Sequence, residues 1–183
     1  MIAQFNTKVL MHVIFLFLAL MVMPKSISNA ESIPALVHID VKQLQCMSKN
    51  IFYEAGSESI LGQAAVARVV MNRIQHGFAK TPCAVIYQAT TIDESKVCQF
   101  SWVCQGKGEP NKNNQRYLVA QQVAYDVMVH DKYKDVIPKS ILFFHNLTVT
   151  PLWPYAEALR IGNHIFYARA KKKALKPSKR SKA

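Results

Sequence analysis

The sequence predicts a mainly helical α+β domain with one small β-hairpin or sheet, and three observations predict it. Apolar residues recur at helical spacing in three long segments. Glycine and proline punctuate the gaps between them. Runs rich in β-branched and aromatic residues gather near the C-terminal end, at Ile141-Leu142-Phe143-Phe144 and Ile165-Phe166-Tyr167. A chain of 183 residues, 50% hydrophobic and 19% charged, suits one globular domain. No fixed period repeats, which argues against a solenoid.

In order along the chain, Val41 to Ala55 reads as the first helix, with Leu44, Met47, Ile51 and Ala55 on one face. Gly56 stops it, where helices commonly end in a left-handed residue. Ser57 and Ser59 are candidate caps for the next helix, Ile60 to His76. That helix carries Leu61, Ala64, Ala65, Val66, Val69, Val70 and Ile74, too apolar for a surface element, and is expected to be the central buried helix. Gly77 ends it, and Pro82 opens a short helical turn through Tyr87. Thr90 to Asn114 reads as polar loop. Gln115 to Val129 reads as a third helix, with Leu118, Val119, Gln122, Val123 and Val127 down one side. The two β-rich runs are expected to pair as a hairpin.

The ends read differently from the body. Residues 1–30 look like a signal peptide: Lys8, then a run from Val9 to Met23 that is apolar apart from His12, then Pro24 and the small residues of Ser28-Asn29-Ala30. The apolar run is short for a membrane span of about 20 residues. Residues 31–168 form the expected catalytic body, and 169–183 a basic tail with eight Lys or Arg and no acid. The net charge of +12 is therefore concentrated in the tail, since the body holds 13 basic residues against 11 acidic ones. Such a run is expected to be solvated and attracted to anionic envelope polymers or a membrane surface. Specific nucleic-acid binding is not expected.

Cys46, Cys83, Cys98 and Cys104 all lie in the body. An even count in an exported chain favours two disulfides, which allow three pairings. Cys98 with Cys104 would close a short loop, leaving Cys46 with Cys83. Without a Cys-x-x-Cys or a His pair at helical spacing, no metal and no cofactor is expected.

The segment Ile51-Phe52-Tyr53-Glu54-Ala55-Gly56-Ser57-Glu58 is the most informative. Glu54 falls at the negative C-terminal end of a helix among apolar neighbours, and both effects raise a carboxyl pKa. A carboxylic acid kept protonated near neutrality can deliver a proton to a glycosidic oxygen. Glu58 lies near the start of the next helix, where a carboxylate is favoured.

The run Cys46 to Glu58, followed by Gly62-Gln63-Ala64-Ala65-Val66-Ala67 and Val70-Met71-Asn72-Arg73, resembles the SleB/CwlJ-type cell-wall hydrolase family. Further matches keep the family's order: Thr81-Pro82-Cys83 with Val85-Ile86-Tyr87-Gln88, Cys98-Gln99-Phe100-Ser101-Trp102, Phe143-Phe144-His145-Asn146 with Pro151 and Trp153, and Gly162-Asn163-His164-Ile165-Phe166-Tyr167. The resemblance implies a lysozyme-like domain, exported to the periplasm or secreted to the cell wall, that cuts the glycan strands of peptidoglycan with Glu54 as catalytic acid. The chain departs from the family at Gly56-Ser57, where Arg-Gly is common, which removes a charge partner for Glu58.

A lytic transglycosylase needs one such acid, whereas a muramidase normally uses two carboxyl groups and would enlist Glu58 as the second. Among the other motif residues, Gln63, Asn72, Gln99 and Ser101 are candidates for hydrogen bonds to the substrate. Tyr53, Phe100, Trp102 and Tyr167 offer flat faces to sugar rings. His145 and His164 would tune Glu54 if they approached it. Arg73 reads as a helix cap or as the partner of an acid. A noncatalytic wall-binding protein of the same fold is the competing expectation, and the retained Glu54 weighs against it.

Overall fold

The computed structural model of the protein describes residues 40–169. The expected leader, residues 31–39 and the basic tail beyond Arg169 lie outside the described residues. Among those described, ten elements follow in order. They are helices α1 (Val41–Ala55), α2 (Ile60–Gln75) and α3 (Pro82–Ile86), strands β1 (Ala89–Ile92) and β2 (Ser95–Cys98), helices α4 (Ser101–Cys104) and α5 (Gln115–Met128), and strands β3 (Ile141–Asn146), β4 (Ala156–Ile161) and β5 (His164–Ala168). The fold class is α+β, as the sequence predicts. No helix among the described residues is long and apolar enough to cross a membrane.

Helix α2 organises the domain. Its side chains from Ala64 to Ala67, and then Val69 and Val70, are wholly buried. Ala64, Ala67 and Val70 face a cluster with Met47 and Ile51 of α1 and Ala120, Val123, Ala124 and Val127 of α5. Ala65, Val66 and Val69 face a second cluster with Ile137, Ile141 and Phe166 on the sheet side. A helix with apolar residues on two faces is thus sandwiched between helices and sheet. Each fully buried Val, Ile, Met or Phe side chain contributes about 1.5–3 kcal/mol through removal from water.

The first two helix starts are capped by side chains. Asp40 accepts from the backbone N–H of Lys42 and Gln43 at 3.0 and 3.2 Å, and Ser59 accepts from that of Gly62 at 3.3 Å. Gly56 does not take the expected left-handed conformation: its φ is −64°. Its N–H still bonds Phe52 O, and an added Cβ would stand 2.4 Å from that oxygen. Close approach, not handedness, requires glycine there. Leu61 is 54% exposed, so the buried face of α2 begins one turn later than its composition suggests. On α5 the buried side is Tyr117, Ala120, Val123, Ala124 and Val127, while Leu118 and Gln122 point outward.

Two further expectations need correction. Residues 90–114 are not all loop, because β1 and β2 pair antiparallel with Ile92 opposite Ser95. Asp93 and Glu94 both take positive φ, 46° and 64°, which makes the two-residue turn that matches strand twist. Every residue of β1 is exposed, so no buried alternation marked it. At the C-terminal end, β3 does pair with β5, but the two do not form a hairpin. Strand β4 lies between them in sequence and on the far side of β5 in space, giving the order β3-β5-β4.

Cys46 is bonded to Cys83 and Cys98 to Cys104, 37 and 6 residues apart. In the chain-entropy model these bridges stabilise by about 4 and 2 kcal/mol. The first ties α1 to the start of α3. The second ties the end of β2 to α4, fixing the intervening Gln99-Phe100-Ser101.

Candidate active site

Glu54 stands in the last turn of α1 and lines a cleft of about 400 Å³. Arg73 of α2, Gln99, Phe100 and Ser101 form part of the wall, and Phe143, Phe144, His145 and Asn146 of β3 form another. Thr148, Val149 and Trp153 of the β3–β4 connection complete it. Among these described residues Glu54 is the one carboxyl group. A larger cavity of about 670 Å³ lies elsewhere, where Lys49 and Glu109 are ion-paired at 2.7 Å. Its one lining carboxyl group, Glu109, is exposed and already paired with Lys49, so the smaller cleft, with a sequestered carboxyl group, is the better candidate for acid chemistry.

Burial pushes the Glu54 carboxyl up to about 7, against the pull of the Arg73 and Lys107 cations, which lower it. A group poised there can both give and take a proton near neutral pH. The same burial pulls the Arg73 guanidinium down to about 10, opposed by Glu54 and Tyr155.

Arg73 is held on every side. It is 3% exposed, and its Nε donates to Leu142 O at 2.7 Å. Its guanidinium carbon lies 5.9, 5.2 and 5.7 Å from the ring centroids of Phe78, Phe100 and Phe143. In the amide orientation that satisfies both groups, the Gln99 side-chain oxygen accepts from Nη1 and Nη2, each at 3.2 Å.

The sequence-predicted residues divide into those that reach the cleft and those that do not. Gln99, Phe100, Ser101 and His145 line it beside Glu54. His145 Nδ1 donates to Asn146 O at 2.9 Å, because a carbonyl can only accept, and its Nε2 meets the Tyr167 hydroxyl at 2.8 Å. Tyr167 also stacks against the imidazole, with ring centroids 5.3 Å apart, and so backs the wall.

Trp102 is buried, with its Nε1 donating to Asn50 Oδ1 at 3.0 Å, and Tyr53 stacks on it while donating its hydroxyl to Gly108 O. Neither lines the cleft. Asn72 is spent inside the domain, donating to Pro138 O and Ile141 O. Gln63 is buried, and its Nε2 donates to Glu58 O.

Glu58 does not share the cleft with Glu54. Its side chain, 6% exposed, sits under the turn between β4 and β5. Oε2 accepts from Asn163 N at 3.3 Å and Oε1 from Asn163 Nδ2 at 3.0 Å. Gly162, at φ +57°, passes so close that an added Cβ would overlap Glu58 Oε2. His164 Nδ1 lies 4.0 Å from Glu58 Oε1, too far for a hydrogen bond. Burial lowers the His164 pKa, with Glu58 opposing. His164 therefore approaches Glu58, not Glu54. The motif Gly162-Asn163-His164 is a clamp between the sheet turn and the start of α2.

Two residues that sequence reasoning did not assign to the site stand out. Trp153 is 39% exposed at the cleft wall and packs against Phe143, His145, Tyr155 and Tyr167. Arg73 follows Val66 and Val69 at i, i+7 and i, i+4 spacing on the sheet-facing stripe of α2. A cation on an otherwise apolar stripe is the signal that could have singled it out.

The chain is similar to the catalytic domain of the Bacillus cereus SleB protein, whose crystal structure aligns at 23% identity over 69% of this chain and 90% of that one, with a TM-score of 0.49. No curated protein matches. The sequence profile of one family matches residues 57–167, beginning just past Glu54 and running through the clamp to Tyr167. By that match the chain belongs to the cell wall hydrolase family.

Proposed function

We propose that this peptidoglycan-acting hydrolase cuts glycan strands as a lytic transglycosylase, with Glu54 as the single acid and base. What carries the reading is that one carboxyl group, poised near 7, lines the cleft among the described residues, beside hydrogen-bonding and aromatic side chains. Protonated Glu54 gives its proton to the oxygen leaving C1 of N-acetylmuramic acid. The C6 hydroxyl of the same sugar attacks C1, and the Glu54 carboxylate takes the hydroxyl proton. The glycosidic bond breaks, a 1,6-anhydro ring forms, and no water is consumed. Glu54 ends protonated, ready for the next turnover. The route asks for no second carboxyl group, in contrast to hydrolysis through a nucleophile or base. Gln99 and Ser101 line the same cleft and would hold the sugar's polar groups, while His145, whose ring nitrogens are already bonded, would back the wall and Trp153 would face a ring.

A wall substrate puts the protein at the cell wall. Residues 1–30 would direct export, to the periplasm or beyond the cell, and 169–183 would hold the enzyme near anionic envelope polymers or a membrane surface.

The test is mass spectrometry of muropeptides released from purified peptidoglycan by the wild-type protein and by Glu54→Gln. Anhydro ends from the wild type and none from the variant are expected. Reducing ends would replace transglycosylation by hydrolysis, and equal release by both proteins would remove Glu54 from the mechanism.

A further inference from the structure

Arg73 carries a buried positive charge that is ion-paired to no carboxylate among the described side chains. Among the residues whose side chains are described, every partner that holds it is neutral: the Leu142 carbonyl, the Gln99 amide and the Phe78, Phe100 and Phe143 rings. Arg68, the other arginine of α2, shows the contrast, since it is ion-paired to Asp131 at 2.6 Å. A buried cation normally has a carboxylate partner, because removing an ion from water costs far more than burying a neutral group. Arg73 instead faces the cleft that Glu54 lines, and no ion pair or hydrogen bond joins the two side chains.

We propose that Arg73 is a positioning residue: a fixed counter-cation that attracts the carboxylate Glu54 becomes after giving up its proton, without being bonded to it at rest. The proposal rests on Glu54 being the acid. A direct ion pair would hold Glu54 ionised and leave no proton to donate. A cation held back in the wall leaves the acid protonated, yet stabilises the charge that appears as the glycosidic oxygen is protonated. Because its anchors are rigid, little reorganisation is needed as the charge develops. The design explains why so many groups fix one guanidinium, and why Gln99, pinned between two cysteines that are themselves bonded, is among them.

Among the described side chains, the other titratable groups around the pair are Lys107, which also acts on Glu54, Tyr155 beside Arg73, His145 in the same wall, and Arg169 against the Phe78 ring. None of them changes in the test. Arg73→Gln keeps an amide that can donate to the Leu142 carbonyl, and Arg73→Lys keeps the charge. In profiles of kcat/KM against pH on glycan strands, Arg73→Gln is expected to move the alkaline limb upward by about one pH unit and to lower the rate at the optimum by roughly tenfold to a thousandfold. Arg73→Lys is expected to leave the limb in place and recover part of the rate. A residue that only supports the wall would lower activity in both variants with the limb unmoved, and that result overturns the proposal.

A second measurement needs no change at Arg73 and so survives a variant that fails to fold. In the wild-type protein, the NMR signal of Arg73 Nε is expected to titrate with the midpoint of the Glu54 carboxyl, and that response is expected to vanish in Glu54→Gln. An Arg73 signal that ignores Glu54 overturns the coupling. The two readings fail separately: an active Glu54→Gln protein sinks the functional assignment, whereas an inactive one with an unmoved limb in Arg73→Gln sinks only this proposal.

Discussion

Glu54→Gln is expected to make the folded protein more resistant to alkaline conditions while abolishing its activity. In the unfolded chain a glutamate titrates near 4.5, and in the folded cleft burial carries Glu54 to about 7. The folded state thus holds the proton more tightly than the unfolded one. The stability this confers is fully present below the unfolded value, falls as pH rises between the two, and is gone above about 7. A gap of about 2.5 units at 1.36 kcal/mol each gives on the order of 3 kcal/mol, already net of the attraction to Arg73 and Lys107. Glutamine has no proton to lose and mimics the protonated acid, so the variant has no such slope.

The assay is chemical denaturation of both proteins, with disulfides intact, at a series of pH values from about 4 to 8.5. The two are expected to match at the acid end. The variant is expected to be the more stable by about 3 kcal/mol at the alkaline end, or roughly 10 °C in Tm. Titrations elsewhere, including that of His164, cancel in the difference between the two proteins. A difference that stays flat across this range would show that Glu54 ionises as freely in the fold as in the unfolded chain, and the acid role would lose its physical basis.

Other outcomes follow from the same geometry. Trp153→Ala removes a half-exposed ring that supports little of the core, so it is expected to raise KM by about threefold to tenfold with kcat little changed; an unchanged KM would take Trp153 out of substrate binding. Glu58→Gln loses one of two hydrogen bonds to Asn163 and is expected to cost about 1–2 kcal/mol of stability, measured by denaturation, while the folded enzyme keeps its turnover. Turnover falling as deeply as in Glu54→Gln would restore Glu58 as a second carboxyl group and favour hydrolysis.

By itself the sequence determined the three long helices, because a 3.6-residue apolar period, a capping serine and stopping glycines are local signals; it missed the short helix α4, which lies in the stretch read as loop. The family motif pointed to Glu54, and a helix end among apolar side chains already says which way its proton affinity moves. The sequence could not show the hairpin of β1 and β2, whose strands are exposed almost throughout and bury no alternating face. Nor could it order the sheet, because the place of β4 beyond β5 depends on pairing between segments, not on the pattern within one. Above all, only the tertiary structure separated the two glutamates and sorted the aromatics. Glu54 and Glu58 are neighbours in one motif, yet a helix end and a turn send one into the cleft and the other beneath Gly162. Trp102 and Trp153 are equally apolar as letters, and packing against Asn50 and Tyr53 buries the first while leaving the second at the wall. Whether a side chain meets solvent, substrate or core depends on which distant elements pack against it, and no local pattern encodes that.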